Sequence, residues 1–256
     1  SYSDIIESCK PDLIFCIMTG DASIAPYEPW EQILKETNSG RTKTFNWFCD
    51  DTWRFDTFSK KACKYFQVCS TPERKTVDKY KLNGYSNIVV ANWHANKELF
   101  PDIRYEDKSI DVSFIGAMND TRRHFFKFVD SDITFLSNIT HEQLYDSFSA
   151  SKIGINLSVN HNDPQKKTQM KQRPFEIAAG RGLIFTEYHE GIEEYFEIDR
   201  EIITFSSVSE FNGKMKFLLK RPKLIKKISS LGYNRFIKEH ESKVRIKNLL
   251  NQIGSK

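Results

Sequence analysis

Long apolar runs are missing from this sequence: no stretch is long enough to span a bilayer, so the chain is expected to be soluble or at most peripherally attached. Paired cysteines are missing too. Cys9, Cys16, Cys49, Cys63 and Cys69 are an odd set confined to the first third, with no CxxC spacing and no neighbouring Cys/His ligand set. They are expected to be reduced core or near-core thiols of a cytoplasmic protein, and no metal site is expected. No GxGxxG follows an early strand, which disfavours a dehydrogenase-like protein and leaves a response-regulator-like one without support. No signal sequence is expected, and the glycosylation-type match Asn138-Ile139-Thr140 is therefore expected to be chance. Repeats of solenoid period and low-complexity tracts are absent. Charge of one sign is not concentrated either: the net +4 is a small excess of 38 basic over 34 acidic residues, intermixed along the chain. Nucleic acid as a partner would need a basic face with stacking aromatics, and is not expected. A mildly basic surface still suits anionic substrates or lipid head groups, hence peripheral membrane contact.

What is present is the balance of a folded protein, 39% hydrophobic and 28% charged residues in 256. The apolar runs are short, rich in Ile, Val and Phe, and spaced by helix-length segments, the pattern of parallel strands covered by helices on both faces. This predicts an α/β fold with strands at Asp12–Met18, Thr44–Cys49, Tyr65–Cys69 and Asn87–Ala91 in the first half. Helices are expected near Pro29–Thr37, Phe55–Lys64 and Pro72–Asn83, with Gly84 ending the third. In the second half, strands are expected at Ile110–Ile115, Ile133–Leu136, Lys152–Leu157, Gly182–Thr186 and Glu201–Phe205. Three helices then run to the end, Val208–Leu219, Pro222–His240 and Ser242–Ile253. The aperiodic segment Asn92–Lys108 reads as an interdomain linker, giving domains 1–100 and 101–256. The chain opens on a helix-like run, Tyr2–Cys9, ahead of its first strand, so the first domain is expected to be truncated or reduced.

Chemistry concentrates in Lys171-Gln172-Arg173-Pro174-Phe175-Glu176 and the residues to Thr186. Pro174 suits the first turn of a helix and Gly180 the residue past its end. A helix start beside Arg173 is a site for phosphate, and Glu176 can accept two hydrogen bonds from vicinal ribose hydroxyls. The alternative is a dipole-stabilising Glu next to an ordinary surface Arg. A second element runs from Phe114-Ile115 through Gly116 to Arg122, where a strand enters a glycine turn before a helix. Either Gly116 lets a ligand approach the backbone and Arg122 reaches a diphosphate, or this is a plain turn with solvated arginines. Asp50 and Asp51 follow an apolar strand, so they are either catalytic acids at a cleft or caps of the next helix. His94, in the linker, either faces an acceptor or is a partly buried linker residue, and His189 is a candidate near the donor.

The ordered series Phe114-Ile115-Gly116, Arg122, Ser151 to Leu157, Arg173-Pro174-Phe175-Glu176, Gly180, Gly191 to Phe196, Glu201-Ile202, Gly232-Tyr233, His240 and Arg245 resembles the C-terminal domain of CgeB-like, spore-maturation-type glycosyltransferases. Lys10-Pro11-Asp12, Asp50-Asp51 and Gly84 are similar, more loosely, to the N-terminal domain of that family. The resemblance implies a GT-B fold, two Rossmann-like domains facing a cleft. It implies a nucleotide-diphosphate sugar donor on the C-terminal domain around Gly116, Arg122, Lys171, Arg173, Glu176 and His189. It also implies a glycan, lipid-linked or protein acceptor on the other domain, and no obligatory metal or other cofactor. In related glycogen-synthase-like retaining enzymes two glutamates eight positions apart contact the donor; Glu176 matches the second, and Thr168 stands where the first would be. The cluster Lys166, Lys167, Lys171 and Arg173 is then what neutralises the diphosphate leaving group. The rival reading is a non-catalytic nucleotide- or sugar-binding protein on the same scaffold.

Overall fold

The computed structural model describes residues 1–159, 165 and 167–255. It contains two all-parallel sheets. In the first, β1 (Leu13–Cys16), β2 (Lys43–Trp47), β3 (Val68–Thr71) and β4 (Ile88–Val90) pair in sequence order, with Ile14 opposite Thr44, Asn46 opposite Cys69 and Ser70 opposite Val89. In the second, β5 (Ile110–Ile115), β6 (Thr134–Leu136), β7 (Ser151–Asn156), β8 (Leu183–Glu187) and β9 (Ile203–Phe205) pair in the order β6-β5-β7-β8-β9. The helices are α1 (Tyr2–Cys9), α2 (Trp30–Ser39), α3 (Asp51–Arg54), α4 (Lys60–Ala62), α5 (Thr76–Leu82), α6 (Asp120–Phe126), α7 (His141–Ala150), α8 (Arg173–Ala179), α9 (Val208–Leu219), α10 (Pro222–Arg235) and α11 (Ser242–Gly254). The α/β expectation therefore holds. Among the described residues no helix is long and apolar enough to cross a membrane.

Burial explains why the strands could be read as apolar runs. Along β8, Leu183 and Phe185 enter one core with Phe114, Ile153, Ile155, Phe205 and Phe211, while Ile184 enters the other with Phe148, Phe175, Phe196 and Phe236. Both faces of the sheet are covered, so apolar residues occupy consecutive positions rather than alternate ones.

Three helices differ from expectation, the one expected at Pro72–Asn83 by starting only at Thr76. The segment expected as Phe55–Lys64 begins earlier, at Asp51, and passes through a π-helical turn at Phe55–Ser59 and a 3-10 turn at Cys63–Tyr65. The run expected to continue to His240 leaves α-geometry after Arg235 for a π-helical turn, Phe236–His240. That wider turn seats His240 in the core beside Phe175 and Phe196, with its Nε2 2.8 Å from the Tyr195 carbonyl and its Nδ1 2.6 Å from Arg245 Nη2. Burial and the adjacent Arg245 press the His240 imidazole down to about 3, so it stays neutral.

The chain divides into two compact units, Ser1–Asn92 with Ile246–Lys256, and Trp93–Arg245. This division falls at Asn92, the start of the segment expected as a linker, and takes the end of the chain into the first unit. Phe100 packs on Tyr145 and Phe148, and Ala95 bridges to Glu241, which ties the segment after Asn92 to the second unit. Leu249 and Ile253 pack with Phe45, Trp47, Val68 and Val89, which puts the end of α11 in the first.

Candidate functional site

The order β6-β5-β7-β8-β9 reverses direction between β5 and β7. At such a switch point the loops leaving neighbouring strands part to opposite faces, and a crevice opens beyond the strand ends. Ile115 ends β5 and Asn156 ends β7, and Arg173 spans the two: its Nε donates to the Ile115 carbonyl at 2.6 Å and its Nη1 to Asn156 Oδ1 at 3.3 Å. Its guanidinium also lies 5.0 Å from the centre of the Phe114 ring. Gly116 follows Ile115 with φ 144°, and a β-carbon there would stand 2.3 Å from Arg173 Nη2. Only glycine lets this arginine lie flat across the end of the strand.

Arg122 completes a pair of guanidiniums. Asn119 caps α6 by accepting from the Arg122 amide at 3.0 Å, and the Arg122 side chain turns back to donate from Nη1 to the Ala117 carbonyl. It lies 5.3 Å from the centre of the same Phe114 ring. Burial and the charge of Arg122 push Arg173 down to about 10, which leaves it protonated at neutral pH; burial also lowers Arg122. Two cations held side by side in a partly enclosed place repel one another. An anion placed between them relieves that repulsion.

Glu176, in the first turn of α8, is half-buried; burial raises its carboxyl, offset by the Arg173 charge. Beyond β7 and β8, Glu187 Oε2 accepts from the Ser158 amide at 2.7 Å and the Val159 amide at 3.0 Å. Burial raises Glu187 as well, and these amides together with the Lys171 charge pull it back. Arg122, Phe125, Leu157 and Glu187 border a small cavity of about 40 Å³.

Gly116, Arg122, Arg173 and Glu176 are thus brought to one end of the second sheet, with Lys171 close enough to act on Glu187. His189 is buried in the loop after β8, its Nδ1 3.1 Å from the Glu190 carbonyl. His94, also in the second unit, places Nδ1 2.8 Å from Ser242 Oγ; burial and Arg245 lower its imidazole, so it is neutral. In the first unit, Asp50 stands half-buried at the N-cap of α3 with no side-chain cap bond, its backbone carbonyl accepting from Trp53 and Arg54. Asp51 is 1% exposed and accepts from the Tyr80 hydroxyl at 2.8 Å. A carboxylate so enclosed meets no acceptor hydroxyl without local opening. Lys166 lies outside the described residues. Among the described residues no three His, Cys, Asp or Glu side chains are grouped to hold a metal ion.

The family model described as glycosyl transferase-like matches residues 90–251. The chain belongs to this glycosyltransferase family. No curated protein matches it in sequence. Solved structures similar to this glycosyltransferase include HepE from Anabaena in complex with UDP and glucose, at TM-score 0.69 and 7% identity, over 99% of this chain and 81% of that one. A glycosyltransferase from Rickettsia africae is similar at TM-score 0.67 and 12% identity over 99% and 79%. Sucrose-phosphate synthase from Thermosynechococcus elongatus is similar at TM-score 0.65 and 10% identity over 99% and 76%. At such identities the likeness is one of fold, and the fold is GT-B.

Sequence reasoning gives no role to Asn156 or Glu187. Asn156 ends β7, the neighbour of β5, and Glu187 ends β8, one strand further on, so extending the strand-end argument from β5 to β7 and β8 finds them; Glu187 falls one residue beyond the expected end of its strand.

Proposed function

We propose that this glycosyltransferase moves a sugar from a nucleoside diphosphate carrier to a hydroxyl acceptor, with the donor held at the switch point of the second sheet. The observation that carries this reading is Arg173 spanning the ends of β5 and β7 against a glycine, with Arg122 over the same ring. Three of the five N–H groups of Arg173 have no acceptor among the described residues, and they suit a diphosphate. As the bond to the sugar breaks, negative charge builds on that diphosphate; cations already in place stabilise it without reorganising. Glu176 takes the ribose hydroxyls, and Lys171 and His189 lie towards the donor sugar. On the acceptor side Asp50 is the acid to test, ahead of the enclosed Asp51 and of His94. Within the family, the order of motifs points to the CgeB-like members and to retention of anomeric configuration in glycan or glycoconjugate synthesis.

Calorimetric titration with a panel of nucleoside diphosphates tests the donor site, starting with UDP because HepE was solved with it. Arg173→Ala and Gly116→Ala should each weaken binding at least tenfold, about 1.4 kcal/mol or more, the second by driving the guanidinium off its seat. Unchanged affinity in both variants would remove the donor from this end of the sheet. A second reading, binding without turnover, is favoured by Thr168 at the place of the first donor-contacting glutamate. Release of sugar from a bound donor, followed by NMR, would eliminate it, and the anomer released first gives the stereochemistry.

A further inference from the structure

The opposite end of the second sheet, where β5 and β8 begin, holds a cavity of about 250 Å³. Arg104, Lys108, Arg181 and Lys226 all line it. Three of these cations have carboxylate partners: Arg104 with Asp107 at 2.6 Å, Arg181 with Asp102 at 3.1 Å, and Lys226 with Glu106. Every member of these pairs is between 42% and 80% exposed, so each pair is weakly held and exchanges readily for another anion.

Lys108 is different. It is 4% exposed, and its ammonium donates to the carbonyls of Ser149 and Gly180. Its third N–H has no acceptor and it has no carboxylate in contact among the described residues. A buried cation in hydrogen-bond contact only with carbonyl dipoles is undercompensated, and burial together with Arg181 pushes it down to about 8, with Asp102 opposing. The Tyr105 hydroxyl, in the same lining, is buried without a hydrogen-bond partner among the described residues. Arg181 holds φ 57° between two glycines, a left-handed conformation that strains a residue with a β-carbon. That backbone carries its guanidinium to 4.3 Å from the centre of the Tyr233 ring, at the cavity wall. Strain retained where glycine would be free of it points to a use for the side chain.

We propose that this cavity is a second anion site, at the other end of the sheet from the donor, and that it takes a small soluble phosphomonoester. Its phosphate would lie between Lys108 and Arg181, with a further acceptor oxygen on Tyr105. A phosphate dianion gives Lys108 its missing counter-charge, matches the planar fork of Arg181 and displaces only exposed ion pairs. The space admits the phosphate with a few carbon atoms attached.

The test is calorimetric titration of the full chain with inorganic phosphate and with glycerol 3-phosphate. Arg181→Gly removes the cation and suits the backbone, so it should melt no lower than the parent; Lys226→Gln is a surface change. The dissociation constant for glycerol 3-phosphate should rise at least tenfold in Arg181→Gly and several-fold in Lys226→Gln, and stay unchanged in Arg122→Ala at the donor end. No binding by the parent, or a constant unmoved by both changes, overturns the proposal. So does an equal loss in Arg122→Ala, which would move the phosphate to the donor site. Sedimentation with phosphatidate-containing vesicles separates the two sources of a phosphomonoester: the parent staying in the supernatant supports a soluble ligand, and co-sedimentation lost in Arg181→Gly overturns it in favour of a lipid head group.

Discussion

Asp51 and Arg173 both hold charge at the end of a parallel sheet, in surroundings of opposite kind. Around Arg173 a carbonyl, an amide oxygen and a ring face suit a cation, and it remains ionised despite the charge of Arg122. Asp51 is enclosed, and burial pushes its carboxyl from 3.8 up to about 6, with Glu73 adding to the rise while Ser59, Thr71 and Tyr80 oppose it. The folded chain therefore binds more protons than the unfolded one between those two values, and stability falls as the pH rises through that window. Replacing Asp51 by Asn keeps an acceptor for Tyr80 and removes the titration. Asp51→Asn should then stabilise the first unit by up to about 3 kcal/mol at pH 8 and by little near pH 4. Urea unfolding at the two pH values measures this through tryptophan fluorescence, since Trp30, Trp47 and Trp53 of the four tryptophans lie in the first unit. An equal effect at both values would show that Asp51 is ionised throughout.

Elements were the most legible level, and the reason is periodicity. Each of the nine strands named in advance exists, and α9 spans the residues that its apolar spacing predicted, because burial on both faces or on one stripe writes itself into the sequence. What periodicity does not carry is a contact between elements. The π-helical turn at Phe236–His240 depends on the Tyr195 carbonyl and on Arg245, and neither is local. The cavity beside Lys108 likewise needs carbonyls from Ser149 and Gly180. Of the donor end, Gly116, Arg122, Arg173 and Glu176 were legible as motifs, whereas Asn156 required the strand order. Two helical glycines show the same contrast. A β-carbon on Gly232 of α10 would stand 2.5 Å from the Glu201 carbonyl oxygen, while Gly213 of α9 has nothing within 4 Å. Gly213→Ala should gain about 0.5–1 kcal/mol from helix propensity alone. Gly232→Ala must displace backbone, at a cost of roughly 1–3 kcal/mol that exceeds the same gain. Opposite shifts in melting temperature are expected, and a rise in both would mean that the turn before β9 yields freely.

At the scale of the whole molecule, the chain passes twice between its units, once after Asn92 and again after Arg245. The second passage was hidden in the sequence because α11 is a single uninterrupted helix, with nothing in its spacing to say which sheet its apolar residues meet. Leu249 and Ile253, each 3% exposed, complete a face of the first sheet formed by Phe45, Trp47, Val68, Val89 and Ala91. Truncating a buried Leu or Ile to Ala costs about 2–5 kcal/mol when the site cannot collapse, and strands of a parallel sheet have little room to do so. Leu249→Ala should therefore loosen β2 and β3, although it lies far from both in sequence. Hydrogen exchange read by mass spectrometry would show faster exchange in Lys43–Trp47 and Val68–Thr71 while β5, β7 and β8 keep their protection. If β5, β7 and β8 lost protection equally, the two units would unfold as one, and stability of the donor end could not be separated from that of the first sheet.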